Sequence, residues 1–402
     1  MSSKAEAFAH FQAGRFREAE SIYLELLAAK PDDAEALHHL GVLRHRQGRN
    51  DEAVALITRA VSFVPRDANA WNSLGNIVSS AGKLQAAEFA YKRAVESHPD
   101  LFAAWYNLGI VLRRLQKRDE AIDAFQHAAA LNPKAADAHE SIAVMNMHMH
   151  RFQEASVAFQ RWLEADPDNP IPRHMVAAFT KQAPARADDA YVTKLFDRMS
   201  GDFDTTLANL GYAAPRLVCA ALARFAPAGE RRLVILDAGA GTGLCGQLLR
   251  SSARRLVAVD LSPGMLEKAR ARGVYDELHA GEMVAFMRAH PAGYDVVISA
   301  DTLVYFGALE EALGAAAGAL KPAGLFVFTV EVEPAESSEK HRLNNSGRYS
   351  HRADYVRDSL SSAGFELLQL EEGVLRKEMG ANVLGHVVVA RNRSADRGQS
   401  NQ

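Results

Sequence analysis

Prolines at positions 31, 65, 99, 133 and 167 follow one another at a step of 34 residues, and alanines at 19, 53, 87, 121 and 155 keep the same step. This period restricts the fold more than any other feature, because a two-helix unit of about 34 residues cannot bury its apolar face alone and must stack on its neighbours. One unit reads Trp71, Leu74, Gly75, Gly82, Ala87, Tyr91, Ala94 and Pro99; the next reads Trp105, Leu108, Gly109, Ala121, Phe125, Ala128 and Pro133. Gly41, Gly75 and Gly109 let the two helices of a unit approach, and the aromatics fill the space between them. Each proline ends a second helix, since it has no N–H and clashes one turn back.

These five units, over residues 1–168, resemble the tetratricopeptide-repeat family; the first is the weakest match, and the fifth carries Ala143 and Trp162 in unusual places. The family's geometry implies a groove lined by the first helices, with Glu35, His38, Asn72, Asn76, Tyr106, Asn107, Arg113 and Arg114 on or near it. Amides and guanidinium groups there suit an extended peptide's backbone or carboxylates, although the same residues also suit an ordinary solvated face. In "NMHMHRF", His148 and His150 are two apart on a presumed helix and so diverge, which favours packing or groove lining over a metal site; no metal is expected.

A chain of 402 residues with 48% hydrophobic and 24% charged residues has ordinary globular composition. A net charge of −3 gives no basic field for nucleic acid or an anionic membrane. Cys219 and Cys245 lie far apart with no partner motif, which suits a reducing compartment, and no run of about 18 apolar residues or signal-like leader occurs. A cytoplasmic protein is expected. "PDNPIPRHMVAAFTKQAPARADD" dissolves the repeat pattern, so 169–189 reads as a linker with one short helix at His174–Thr180, and 392–402 as a frayed tail.

After residue 230 apolar runs alternate with helical stretches: LVILD, LVAVD, YDVVISA and GLFVFTV, then FELLQL and LGHVVVA. That alternation predicts a mostly parallel sheet covered on both faces, with ligands held beyond the carboxyl ends of its strands. There stands the glycine-rich loop of "LVILDAGAGTGLCGQLL". By itself, Gly241-x-Gly243-x-x-Gly246 matches a dinucleotide fingerprint. Asp237 ahead of the glycines would repel a pyrophosphate but take an ammonium; Asp260 ending the next strand can accept both ribose hydroxyls, which by itself fits NAD equally well, and Glu282 can accept an adenine amino group. Adenosine plus an amino acid, without phosphate, describes S-adenosylmethionine (AdoMet).

"VILDAGAGTG", "VAVDLSPGMLEKAR", "YDVVISADTLVYF" and "LKPAGLFVFTVE" resemble class I AdoMet-dependent methyltransferases, in order and spacing, over residues 190–391. Nearly the whole chain is similar to bacterial tetratricopeptide-repeat methyltransferases. The resemblance implies an α solenoid followed by a Rossmann-like domain with a seven-stranded, mostly parallel sheet, its last strand antiparallel. It implies that Asp237, Gly239, Ala240 and Gly241 hold the methionine end, that Asp260 takes the ribose, that Leu261, Met265, Glu282 and Met283 surround the adenine, and that Ala300 and Asp301 close the strand-four side near the sulfonium. It implies that Gly243 gives close helix packing; packing alone is the alternative role for Gly243 and Gly246. Tyr191, Phe196 and Phe203 of "YVTKLFDRMSGDFD" could form a lid over the cofactor or pack on one helix face.

For the acceptor, Asp301, Tyr305, His341, Tyr349 and His351 could orient or deprotonate a nucleophile. "RYSH" equally suits a helix start capped by Ser350. No Asn-Pro-Pro-Tyr follows strand four, so adenine-N6 and glutamine methylation are disfavoured. The expected function is methyl transfer to an N, O or C acceptor, with a peptide or protein recruited by the repeats. The alternatives are a small-molecule methyltransferase whose repeats only oligomerise, and a non-catalytic assembly adaptor.

Overall fold

The computed structural model describes residues 3–226, 232–378 and 380–393. Two compact units divide the chain, Met1–Pro167 and Asp168–Gln402.

The first unit is five antiparallel helix pairs: α1 (Lys4–Gln12) with α2 (Phe16–Ala29), α3 (Ala34–Arg46) with α4 (Asn50–Phe63), α5 (Ala68–Ser80) with α6 (Leu84–Ser97), α7 (Phe102–Arg114) with α8 (Arg118–Leu131), and α9 (Ala136–His148) with α10 (Phe152–Ala165). Every 34-spaced proline stands just beyond the second helix of a pair. Asp33 and Asp67 start α3 and α5 by accepting the Ala36 and Ala70 N–H groups at 3.1 and 3.0 Å. Ring N–H groups keep the period too: Trp71 donates to the Pro65 carbonyl at 3.0 Å, Trp105 to Pro99 at 2.7 Å and His139 to Pro133 at 3.0 Å. The rings of Tyr91 and Phe125 lie over Gly75 and Gly109, where a side chain would collide with them.

The turn within each pair repeats a left-handed residue: Gly14, Gly48 and Gly82, then Gln116 at φ 61° and His150 at φ 58°. His148 therefore ends α9 and His150 makes the turn, so the two histidines do not share a helix.

The second unit opens with helices α11 (Pro170–Thr180), α12 (Asp189–Met199), α13 (Phe203–Asn209) and α14 (Ala214–Phe225). The stretch read as linker thus carries a full helix. Asn169 caps it by accepting the Ile171 N–H at 3.1 Å, and Pro170 sits where its missing N–H is harmless. Its Ala178 packs with Leu343 and Tyr349, and His174 meets the Gly347 carbonyl at 2.9 Å.

Then follow β1 (Leu233–Ala238), α15 (Leu244–Leu249), β2 (Ala253–Asp260), α16 (Pro263–Arg272), β3 (Glu277–Ala280), α17 (Met283–Ala289), β4 (Tyr294–Ser299), α18 (Glu310–Ala319), β5 (Leu320–Val332), β6 (His341–Leu343), β7 (Tyr349–His351), α19 (Ala353–Ser362), β8 (Phe365–Glu378) and β9 (Ala381–Asn392). Strands β3, β2, β1, β4 and β5 pair in parallel in that order, and β9 runs antiparallel between β5 and β8. This is the seven-stranded Rossmann-like sheet expected. A small ribbon is added: β6 pairs with β7, which pairs with β5 at Glu331 and Val332. "RYSH" is therefore strand, and α19 starts only at Ala353, because the Ser350 hydroxyl donates to the buried Glu333 carboxylate at 2.5 Å. Of the expected tail, Asn392 closes β9 and residues 394–402 lie outside the described residues.

The β8–β9 hairpin continues past β5. Pairing of β5 with β9 stops at Glu331 and Gly385, while β8 and β9 stay paired to Glu378 and Ala381. The overhang is held by backbone bonds of 2.7 Å, Ala213 N–H to the Leu375 carbonyl and Lys377 N–H to the Leu210 carbonyl. No helix of the described residues is long and apolar enough to cross a membrane.

Candidate active site at the carboxyl ends of the strands

β1 is buried along its whole length, as a central parallel strand must be, and it delivers the glycine loop to the sheet's carboxyl edge. The loop folds back on β2: the Gly239 N–H donates to the Val259 carbonyl at 2.8 Å. Asp260 then fixes two turns at once, accepting the Gly241 N–H at 2.8 Å on Oδ2 and the Ser262 N–H at 2.9 Å on Oδ1. Burial raises its carboxyl above the usual range, and the two N–H groups oppose that rise. Gly239 has φ 81°, and a Cβ there would stand 2.1 Å from the Thr302 hydroxyl oxygen. Only glycine satisfies both constraints.

Asp237 is 1% exposed and accepts the Tyr275 hydroxyl at 2.6 Å; burial pushes its carboxyl up to about 7. The Tyr275 ring also lies against Gly243 and Gly246, which accounts for both glycines by packing. Tyr275 carries no sequence signal of this role.

The lead-in helices are latched across the loops. The Thr242 hydroxyl of the glycine loop donates to Asp204 at 2.6 Å, and Arg272 pairs with the same carboxylate. The Ser262 hydroxyl, just past β2, donates to Asp197 at 2.5 Å. Arg186 reaches Glu282, just past β3, at 3.0 Å. Phe196 meets both Phe203 and Tyr305 edge-on, at ring separations of 5.8 and 5.6 Å. Tyr191 is buried and stacked on His174 at 3.9 Å. Sequence reasoning named the aromatics of this segment and did not name its acids.

Around Asp301, just past β4, the remaining strands contribute an ion network. Arg376 is 4% exposed, and its three nitrogens reach Asp301 at 2.6 Å, Glu378 at 2.7 Å, and Glu331. Arg348 donates to Glu331 at 2.8 Å and to Glu378 at 2.5 Å. Asp301 has φ 56°, and its N–H is held by the Thr329 hydroxyl at 2.8 Å. Burial raises the Asp301 carboxyl, and Arg376 works against that shift. Tyr305 borders this network; burial pushes its hydroxyl to about 12.

Other expected residues are engaged elsewhere. His351 is 0% exposed, and its Nε2–H donates to the Phe306 and Gly307 carbonyls at 2.8 and 3.1 Å. The Tyr349 hydroxyl donates to the Pro184 carbonyl at 2.7 Å. Glu282 caps α17 by accepting the Val284 and Ala285 N–H groups at 3.0 and 2.7 Å, besides its pair with Arg186. Met265 is fully buried in α16, and Ala240 and Met283 are buried, while Leu261 and Ala300 are half-buried. Among the described residues no cluster of three or more His, Cys, Asp or Glu side chains could hold a metal ion.

In the repeat unit the amides form a ladder. Asn107 donates to Asn72 at 3.2 Å and to Asn76 at 3.1 Å, and Asn76 also accepts the Tyr91 hydroxyl at 2.7 Å. Arg114 reaches Ser79 at 3.4 Å, and His38 meets Ser73 at 2.8 Å. Arg113 and Glu35 are exposed, and Tyr106 stacks on Phe102 at 5.8 Å.

Residues 210–370 match the family described as methyltransferase domain, and residues 5–68, 73–126 and 106–170 match the tetratricopeptide repeat. The chain is 31% identical over 202 residues to Methyltransferase-like protein 27 of Homo sapiens, covering 47% of this chain and 80% of that protein. It is 29% identical over 138 residues to the malonyl-[acyl-carrier protein] O-methyltransferase of Serratia marcescens, 34% of this chain and 51% of that one, about half its length. Among solved structures, MamA is 26% identical with a TM-score of 0.38, over 40% of this chain and 94% of that chain.

Proposed function

The chain belongs to the class I methyltransferases, with tetratricopeptide repeats ahead of the methyltransferase domain, and from this we propose that it methylates an acceptor brought to it by a peptide or protein held on the repeats. The observation that carries the reading is Asp260, whose carboxylate ends β2 and joins the glycine loop to the turn at Ser262. A carboxylate has about four lone-pair sites, so two remain for a pair of ribose hydroxyls. Gly239, Ala240 and Gly241 supply bare backbone beside it. The residues fit AdoMet, which supplies an electrophilic methyl group on a sulfonium.

The protein's contribution is positioning and exclusion of water. The lead-in helices cover the loops through Asp204, Asp197 and Arg186, and Phe196, Phe203 and Tyr305 give that cover an apolar underside. Asp301 and Tyr305 stand on the acceptor side. Tyr349 and His351 are left out of the chemistry, since backbone carbonyls occupy their polar hydrogens. The malonyl acceptor in the name of the Serratia relative does not carry over: Arg376 already serves three carboxylates and Arg348 two, which disfavours another carboxylate beside Asp301. The Asn72, Asn76 and Asn107 ladder, with Tyr106, Arg113 and Arg114, is the surface proposed for the partner.

Calorimetry with AdoMet, S-adenosylhomocysteine and NAD tests the cofactor. Binding of the first two and not the third is expected; NAD binding without AdoMet binding would overturn the reading. Labelled AdoMet added to cell extract, followed by mass spectrometry, identifies the acceptor. Replacing Arg113 and Arg114 together by Ala should then reduce labelling of a recruited protein while AdoMet still binds.

A further inference from the structure

Asp237 stands near the end of β1, just ahead of the glycine loop, and is 1% exposed. Among the described residues its carboxylate receives one hydrogen bond, from the Tyr275 hydroxyl at 2.6 Å across 38 residues of sequence. A carboxylate has about four lone-pair sites, and a buried one is costly unless a cation or further donors meet it. Among the described residues no Lys, Arg or His forms an ion pair with it. The oxygen that Tyr275 leaves free therefore calls for a positive charge from a ligand. We propose that Tyr275 is a positioning residue for cofactor binding, its hydroxyl holding Asp237 so that the free oxygen meets the ammonium group of an amino-acid ligand, an inference that rests on the function proposed above.

Tyr275 is itself fixed in place. It lies between α16 and β3, and both of its chain neighbours are tied down. Arg250, just past α15, donates to the Val274 carbonyl at 3.0 Å and to the Asp276 carboxylate at 2.8 Å. Asp276 also exchanges two bonds with the backbone of Leu256 in β2, donating its N–H at 2.9 Å and accepting the Leu256 N–H at 2.7 Å. The ring fills the notch that two glycines leave: a Cβ at Gly243 would stand 2.9 Å from it, and one at Gly246 nearer still. A hydroxyl carried on so constrained a ring has little freedom to leave Asp237, so it occupies one oxygen and reserves the other.

The same hydroxyl favours the charged form of Asp237. Burial pushes this carboxyl up to about 7, the Tyr275 hydrogen bond opposes the rise, and Asp260 of β2 adds to it. Cys245 of α15, packed in the same apolar cluster as Tyr275, is shifted upward and stays neutral. Without the hydroxyl, the Asp237 carboxyl sits higher still, and a larger share of it is uncharged at neutral pH. An ammonium group then finds no counter-charge, whereas the adenosine half of a ligand is indifferent to the change.

The test is calorimetry on the full-length protein at pH 6, 7 and 8 with two probes. S-adenosylhomocysteine carries the amino-acid end; methylthioadenosine keeps the adenosine and the thioether and lacks that end. Wild-type affinity for S-adenosylhomocysteine should rise with pH as Asp237 ionises, and affinity for methylthioadenosine should stay level. Tyr275→Phe keeps the ring against the glycines and removes only the donor. It should bind S-adenosylhomocysteine about tenfold more weakly at pH 7, recover part of that loss at pH 8, and bind methylthioadenosine within about twofold of wild type. Asp237→Asn, which has no carboxyl to ionise, should abolish the pH dependence. Equal losses for both probes, a loss that is constant from pH 6 to 8, or no loss at all would each overturn the inference and leave Tyr275 as packing for the loop. A wild-type protein that binds neither probe would overturn the methyltransferase reading and this inference with it; wild-type binding with an indifferent Tyr275→Phe variant overturns this inference alone.

Discussion

Asp204, on the lead-in helix α13, accepts the hydroxyl hydrogen of Thr242 at 2.6 Å across 38 residues of sequence, tying the cover of the site to the glycine loop itself. Removing this acceptor in Asp204→Ala also takes one partner from Arg272, which keeps its bond to the Thr242 carbonyl. A half-exposed charged hydrogen bond contributes about 1.5 kcal/mol, the lower end of its class, or a factor of roughly ten. AdoMet should therefore dissociate about tenfold faster from the variant in stopped-flow experiments. Asp204→Asn, which keeps an acceptor, should recover most of the difference.

Asp260→Ala removes the acceptor of the Gly241 and Ser262 N–H groups together with the ribose partner. Each charge-assisted bond is worth about 1.5–3 kcal/mol, so AdoMet affinity should fall by at least about tenfold. Calorimetry reads this directly. Unaltered affinity would move the cofactor site elsewhere.

Arg376 holds three carboxylates from three strand ends. Arg376→Met leaves Asp301, Glu331 and Glu378 facing one another with Arg348 alone among them. Breaking a buried pair in this way costs about 3–5 kcal/mol. The urea midpoint of the methyltransferase unit should drop accordingly, and replacing Asp301 by Asn in the same protein should restore part of it.

Burial pushes His351 down to about 4 from 6.5, and His38 of the repeat unit shows the same direction and value. The unfolded chain binds a proton between those two pH values and the folded chain does not. Stability is therefore full above pH 6.5 and falls as pH decreases toward about 4, by up to about 1.4 kcal/mol per pH unit for each histidine. His351→Gln should flatten the loss for the methyltransferase unit, read by denaturation at pH 7, 6 and 5. An unchanged slope there would mean that another group carries it.

Gln116 and His150 occupy the turn position that is glycine in the first three pairs. A left-handed non-glycine residue costs about 1–2 kcal/mol, against roughly 0.5–1 for the extra freedom of unfolded glycine. Gln116→Gly should therefore stabilise the repeat unit by about 0.5–1 kcal/mol, visible as a higher melting temperature.

These turns show where sequence reading runs out. The proline and alanine steps were legible because steric exclusion at a helix end demands one residue type. The left-handed turn only favours glycine, so Gln116 and His150 hid the same period, and His150 looked like a helical neighbour of His148. In the second unit, the strand–helix alternation and the acids Asp237, Asp260 and Glu282 stood out against apolar runs. Their partners did not: Tyr275, Asp204, Thr302 and Arg376 come from distant segments and carry no local pattern. "RYSH" failed for a related reason. A three-residue strand has too few positions to show alternation, and Ser350 looked like a cap until Glu333 claimed its hydroxyl. Pro170 stood in a stretch read as linker, although Asn169 and Pro170 together start a helix when apolar residues follow.

The place of β9 in the sheet bears on how the protein is made. Synthesis proceeds from the N-terminus at about 5–20 residues per second, so the repeats leave the ribosome and stack first. β9 is translated after every other strand, yet it belongs between β5 and β8. Until it emerges, β5 keeps an open edge beside the half-built sheet and β8 has no strand to pair with. For that interval the nascent methyltransferase unit exposes an apolar edge of the kind that invites aggregation or a chaperone. That exposure ends only when β9 slots into the gap between β5 and β8.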